Sequence, residues 1–143
     1  MIRHLEPTNQ SAMALFGRRI AGPVTMLNLL RFRAVADYAA HPDLAPATPI
    51  SGAEAFDRYV AATLPHLQAS GGALLFMGAG GPCFIGPEDE RWDRVMLVKQ
   101  ASVEAFIAFA TNETYRRDAI GHRTAALEDA RLVPLEDLPV SPA

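Results

Sequence analysis

A chain of 143 residues, half of them apolar and a fifth charged, has the length and composition of one globular domain, which excludes a disordered polypeptide. Thirteen Lys and Arg against sixteen Asp and Glu leave a net charge of −3, with no basic excess to draw in nucleic acid. The lone cysteine, Cys83, excludes an internal disulfide framework and a multi-thiolate metal site, and it fits a reducing compartment.

The opening MIRHLE is polar too early for the apolar core of a signal segment. The longest uncharged stretch, residues 68–87, is broken by glycines and cannot keep one helical ladder across a bilayer. A soluble, cytoplasmic protein with no membrane segment is expected. Thr8 is placed to cap a short helix through Phe16, with Gly17 as its stop. VTMLNLLRF (24–32) reads as a strand that is apolar on both faces: Val24, Met26, Asn28 and Leu30 on one, Thr25, Leu27, Leu29 and Arg31 on the other.

Residues 33–51 show no period and carry Pro42, Pro46 and Pro49. So long a loop predicts a mobile lid or a partner-contacting arm, with Tyr38 and His41 as its contact residues. Ser51 and Glu54 then stand at capping-box spacing, opening a helix over 52–70 that Pro65 should kink or split. ALLFM (73–77) reads as a short strand, Gly78 to Pro82 as the turn or bulge after it, and 83–85 as a possible extension of the pairing. DRVMLVK (93–99) is the next strand. Ser102 caps a helix whose buried stripe is Ala105, Phe106, Phe109 and Ala110, and Thr111 or Asn112 restarts a helix through Leu127. ARLVPL (130–135) is a last strand, with Pro134 at its end or on an edge, and 138–143 a frayed tail.

After the N-terminal helix the order is strand, helix, strand, strand, helix, strand. It predicts an α+β, ferredoxin-like βαββαβ domain over residues 1–137, with helices on one face of an antiparallel sheet. The other face must then be covered by the short N-terminal helix or by a second subunit. Its apolar extent favours a homodimer built sheet to sheet, a dimeric α+β barrel.

The segments MLNLLRF (26–32), GAEAFDRY (52–59), Gly71-Gly72, IGPEDERWDRVMLV (85–98) and AF followed by NETYRRDAIGHRTAALEDARL (105–132) resemble the bacterial family called domain of unknown function 1330. The resemblance spans about residues 23–133 and rests on scattered positions, not on one motif. It implies the same dimeric α+β barrel and no established reaction.

Several residues could carry chemistry. His4, His41, His66 and His122 show no tight metal spacing, so no metal is expected. Gly78 to Gly81 lacks the GK[ST] ending and following helix of a phosphate cradle, and no cofactor is expected. Cys83 has no neighbouring base and reads as a spectator. Glu88, Asp89, Glu90 and Asp93 read as a wet acidic loop, while Trp92 either walls a pocket or anchors that loop.

The best constellation lies on the last helix. Tyr115, Ala119, His122 and Ala126 share one α-helical face, and Arg116, Ile120, Arg123 and Leu127 form the adjacent stripe. A phenol, an imidazole and a guanidinium within two turns could bind and polarise a carboxylate: His122 as acid/base, Tyr115 as donor, Arg123 as anion anchor. The resemblance places its own Tyr and Arg positions at Tyr115 and Arg123. The structural alternative pairs Arg123 with a carboxylate, Glu90 or Asp93 first, and uses Tyr115 as a plug. Asn28, interrupting an apolar strand face, either lines a polar pocket or bonds a loop; Arg31 could join it only if the strand bends. The expectation is a protein that binds a small anionic organic molecule, with cofactor-independent catalysis left open. The rival is a non-catalytic ligand-binding or structural dimer.

Overall fold

The computed structural model describes residues 2–141. Its core is one antiparallel sheet of β1 (Val24–Phe32), β2 (Ala73–Pro82), β3 (Arg91–Gln100) and β4 (Leu127–Leu135), ordered β2-β3-β1-β4. That order, with helical crossovers from β1 to β2 and from β3 to β4, is the ferredoxin-like βαββαβ arrangement preceded by α1 (Asn9–Gly17). Thr8 and Ser11 close a capping box at the start of α1, as Ser51 and Glu54 do for α2 (Gly52–Ala69). Among the described residues no helix is long and apolar enough to cross a membrane.

The period-2 pattern of β1 sorts its side chains. Val24, Met26, Asn28 and Leu30 are buried beneath the helices, and Leu30 belongs to the main core together with Phe56, Tyr59, Phe109 and Tyr115. Burying a side chain such as Phe56 stabilises the fold by about 1.5–3 kcal/mol. The opposite face carries Leu27 and Leu29 of β1 opposite Leu97 and Val95 of β3, flanked by Val133 of β4 and Phe76 of β2. The first four are half-buried, and Phe76 and Val133 are exposed. Helix α1 does not cover this face: its Leu15 packs with Val24, Met26 and Val98 on the helical side.

Four local expectations are corrected. Pro65 does not split α2, because the carbonyl it frees, on Ala61, lies on the exposed side of the helix. Gly78 to Pro82 is strand, not turn. Gly80 passes so close to the Trp92 carbonyl that a Cβ there would sit 2.2 Å from the oxygen, and Pro82 is tolerated because β2 is an edge. The bulge lies earlier, between Leu74 and Phe76, and the hairpin turns instead over residues 83–90, which carry no β-bridge.

Residues 33–51 are not a lid. Arg33 and Asp37 donate backbone bonds to Ala126 and Ala125, Ala36 donates to Ile50, and Tyr38 is buried. His41 and Leu44 press so closely on Gly121 that a Cβ there would meet them at 2.6–3.0 Å. The segment is fixed by packing on the last helix. Residues 136–141 carry no regular structure; Met1 and tail residues 142–143 lie outside the described residues.

Candidate functional site

A cavity of about 780 Å³ lies between the helical face of the sheet and the helices above it. Its floor is Met26 and Asn28 of β1, Met96, Val98 and Gln100 of β3, and Ala130 and Leu132 of β4. Its roof is Tyr59, Thr63 and Leu67 of α2, then Phe106 and Phe109 of α3 (Val103–Ala110). The side wall is the last helix, in which α4 (Glu113–Tyr115) continues through a π turn (Arg116–Ile120) into α5 (Gly121–Ala126). Exposed residues of the N-terminal strap, His4, Glu6 and Pro7, form the rim. The size is that of a site for a small organic molecule, and most of the lining is apolar.

The π turn decides which residues of that helix face inward. Its wider i→i+5 turns advance the helix angle less per residue, so positions beyond Ile120 lag behind an ideal α-helix. Tyr115, Arg116, Ile120, Arg123 and Thr124 line the cavity, whereas His122 does not. The imidazole instead meets Tyr38 of the 33–51 segment, with Nδ1 2.7 Å from the phenol oxygen. Burial and the nearby Arg58 charge lower the His122 pKa and favour the neutral ring, whose tautomer sets which partner of the Tyr38–His122 bond donates. The face expected to unite Tyr115 with His122 is therefore divided.

Tyr115 is 4% exposed and its hydroxyl lies 2.7 Å from that of Tyr59. Burial, then the Tyr59 partner, drives its pKa far above the usual phenol range, against the pull of Arg123 and Arg116. The Tyr115 phenol therefore keeps its proton. The pair shares one hydrogen and retains a second O–H to give to a ligand oxygen.

Arg123 donates from Nη1 to the Leu5 carbonyl of the strap at 2.8 Å. Among the described residues no carboxylate lies within 4 Å of it. The structural alternative for Arg123 is thus corrected: Asp93 serves Arg91 and the Phe32 amide, and Glu90 sits beside Cys83 in the hairpin turn. Arg116 also lines the cavity, its Nη1 spent on the Ala110 carbonyl. Cations outnumber the single lining carboxylate, Glu6.

Asn28 lies in the floor and is 7% exposed. Its Nδ2 donates to the Met26 carbonyl at 3.2 Å. Trp92 and Arg31 are outside the lining. Trp92 sits under the guanidinium of Arg131, 5.2 Å from ring centre to Cζ, and Arg131 in turn edges the cavity. Arg31 turns to the opposite sheet face and pairs with Glu128 at 3.5 Å. The structure therefore brings together Asn28, Tyr115 and Arg123, and separates them from His122, Trp92 and Arg31.

Tyr59, Thr63, Gln100 and the strap do not emerge from spacing alone. Tyr59 carries the one available signal, since a phenol on an apolar helical stripe requires a polar partner. Thr63 and Gln100 are buried, and the Thr63 hydroxyl and the Gln100 Oε1 have no hydrogen-bond partner. Among the described residues no group of three His, Cys, Asp or Glu is placed to hold a metal ion.

No protein-family model matches this chain. No curated protein matches it either. Solved structures do. The RPA0582 protein of Rhodopseudomonas palustris, described as a protein of unknown function, is 35% identical over 97% of this chain and 100% of its own, with a TM-score of 0.81. The methylated RPA0582 protein is 36% identical over 97% of this chain and 98% of its own, also with a TM-score of 0.81. Identity at that level across nearly the whole of both chains means that this protein belongs to the family of the RPA0582 protein.

Proposed function

We propose that this protein binds a small organic acid in the cavity between sheet and helices, with its anion on Arg123 and its apolar body among Leu64, Phe106, Ile107 and Phe109. The observation that carries this reading is Arg123 itself, a guanidinium on an apolar cavity wall with a backbone carbonyl as its partner and no carboxylate within 4 Å. A cation so placed gains most from a ligand anion, because leaving it uncompensated in an apolar setting is costly. The free O–H of the Tyr59–Tyr115 pair supplies a second bond to the same anion. With His122 bonded to Tyr38 away from the cavity, binding fits the geometry better than acid–base catalysis.

The family that the sequence resembles, domain of unknown function 1330, is the proposed wider grouping. The proposed assembly is a homodimer through the apolar sheet face of Leu27, Leu29, Val95 and Leu97, which none of the helices described above covers.

The test is a thermal-shift series with phenylacetate, 3-phenylpropanoate and octanoate, each set against its neutral amide. A ligand that binds the folded state raises the melting temperature with concentration. Stabilisation by at least one acid and not by its amide is expected. Equal behaviour of every acid and its amide would overturn the reading.

A further inference from the structure

We infer that Asn28 is a specificity-determining acceptor of this cavity: its Oδ1 selects a ligand that carries a hydroxyl or N–H on its apolar body, as a hydroxylated acid does. The inference rests on the reading of the cavity as an organic-acid site.

The argument begins in the strand. Asn28 occupies an inward position of β1, between Met26 and Leu30, both essentially inaccessible to solvent. Its cross-strand neighbours on that face are Met96 and Leu132. An amide in so apolar a floor is unfavourable unless both of its ends are bonded. The nitrogen end is served, because Nδ2 donates to the carbonyl of Met26 two residues back in the same strand. That bond also fixes which way the amide points, since a flipped amide would set oxygen against oxygen.

The oxygen end is left for the cavity. Oδ1 accepts no hydrogen bond from the described residues, yet it is not among the sealed, unpartnered atoms of the interior. An atom of a residue this deep in the sheet that is neither bonded nor sealed opens onto the cavity that the residue lines. In the roof, the phenols of Tyr59 and Tyr115 bond each other, and the one O–H they leave over is the donor assigned above to the ligand's carboxylate. The floor therefore presents at Asn28 a fixed acceptor open to the cavity, to be satisfied by solvent water or by a ligand. A ligand displacing that water must return a donor or forfeit the bond. Phenols and alcohols can do so; unsubstituted hydrocarbon and ether oxygens cannot.

Calorimetric titration of the full chain with 3-phenylpropanoate, its 2-, 3- and 4-hydroxyphenyl counterparts and the three matching methoxy compounds tests this. One hydroxy isomer should bind about tenfold more tightly than both the unsubstituted acid and its own methoxy partner. Asn28→Leu should bring that ratio to about one. Its folding is checked by its thermal melt, and the wild-type ratios stand as evidence whether or not the variant folds. Wild-type ratios near one at every position overturn the inference while the organic-acid reading survives. A ratio that persists in a folded Asn28→Leu protein also overturns it. If neither the parent acid nor any substituted acid binds, the organic-acid reading fails and the inference falls with it.

Discussion

The Arg123 guanidinium donates to the Leu5 carbonyl at 2.8 Å, so one side chain joins the cavity wall to the strap at the cavity rim. The strap is fixed along the edge strand β4 at further points. Arg3 reaches the carbonyls of Leu127 and Glu128, and the His4 amide donates to the Asp129 carboxylate at 2.8 Å. Anion binding on Arg123 and seating of the strap therefore act on the same group.

Arg123→Met should lower stability by only about 1 kcal/mol, the usual worth of one hydrogen bond, and abolish the acid-dependent thermal shift. Urea denaturation beside the ligand series measures both. A loss of several kcal/mol would instead indicate a broken buried ion pair.

The Tyr59–Tyr115 pair should behave as a unit. Tyr115→Phe leaves the buried Tyr59 hydroxyl without its partner and should cost about 1–3 kcal/mol. Removing both hydroxyls should cost less than the sum of the two single changes, and a double-mutant cycle by urea denaturation reads the difference.

Asp129 couples the strap to pH. Burial alone would raise its pKa, but bonds from the His4 amide, Arg131 and the Ala130 amide outweigh that and hold it below the usual carboxylate value. Its stabilisation is present above the unfolded pKa and is lost as pH falls through the lower folded one. Protection of the His4 amide, its exchange rate relative to that of an unfolded chain at the same pH, should therefore fall in acid, and Asp129→Ala should give low protection already at neutral pH.

His122 gains a charge on protonation where Asp129 loses one, yet its stabilisation is lost in the same direction. Its folded pKa is depressed, so the unfolded chain takes up the proton first, and stability falls as pH drops from about 6.5 toward the folded value. His122→Asn, which keeps a neutral hydrogen-bonding group beside Tyr38, should flatten that part of the stability–pH curve.

The proposed homodimer predicts that Leu97→Asp gives a folded monomer, since it places a charge in the middle of the apolar sheet face. Light scattering at micromolar concentration reads the mass. A wild-type protein that is monomeric there would contradict the dimer.

The ferredoxin-like order was legible because each buried strand and capped helix announces itself locally: the alternation of Val24 to Leu30, the Ser51–Glu54 box, the Ser102 cap. The glycines of Ala73–Pro82 look like a turn in sequence, because the close approach of Gly80 to the Trp92 carbonyl is a long-range fact with no local mark. On the last helix, spacing brought Tyr115 and His122 together because it assumed α-helical turns throughout. The π turn at Arg116–Ile120 has no sequence marker comparable to a proline or a cap, and it is what separates them. Arg123 and Asn28 were visible as polar residues on inward stripes, but the carbonyl of Leu5, more than a hundred residues away, was not.

A crystal structure of the protein with 3-phenylpropanoate bound tests the organic-acid site most directly. The carboxylate should lie within hydrogen-bonding distance of Arg123 and of the Tyr59–Tyr115 pair, with the ring between α3 and the sheet floor. A ligand bound elsewhere, or a cavity filled with its carboxylate turned away from Arg123, would contradict it.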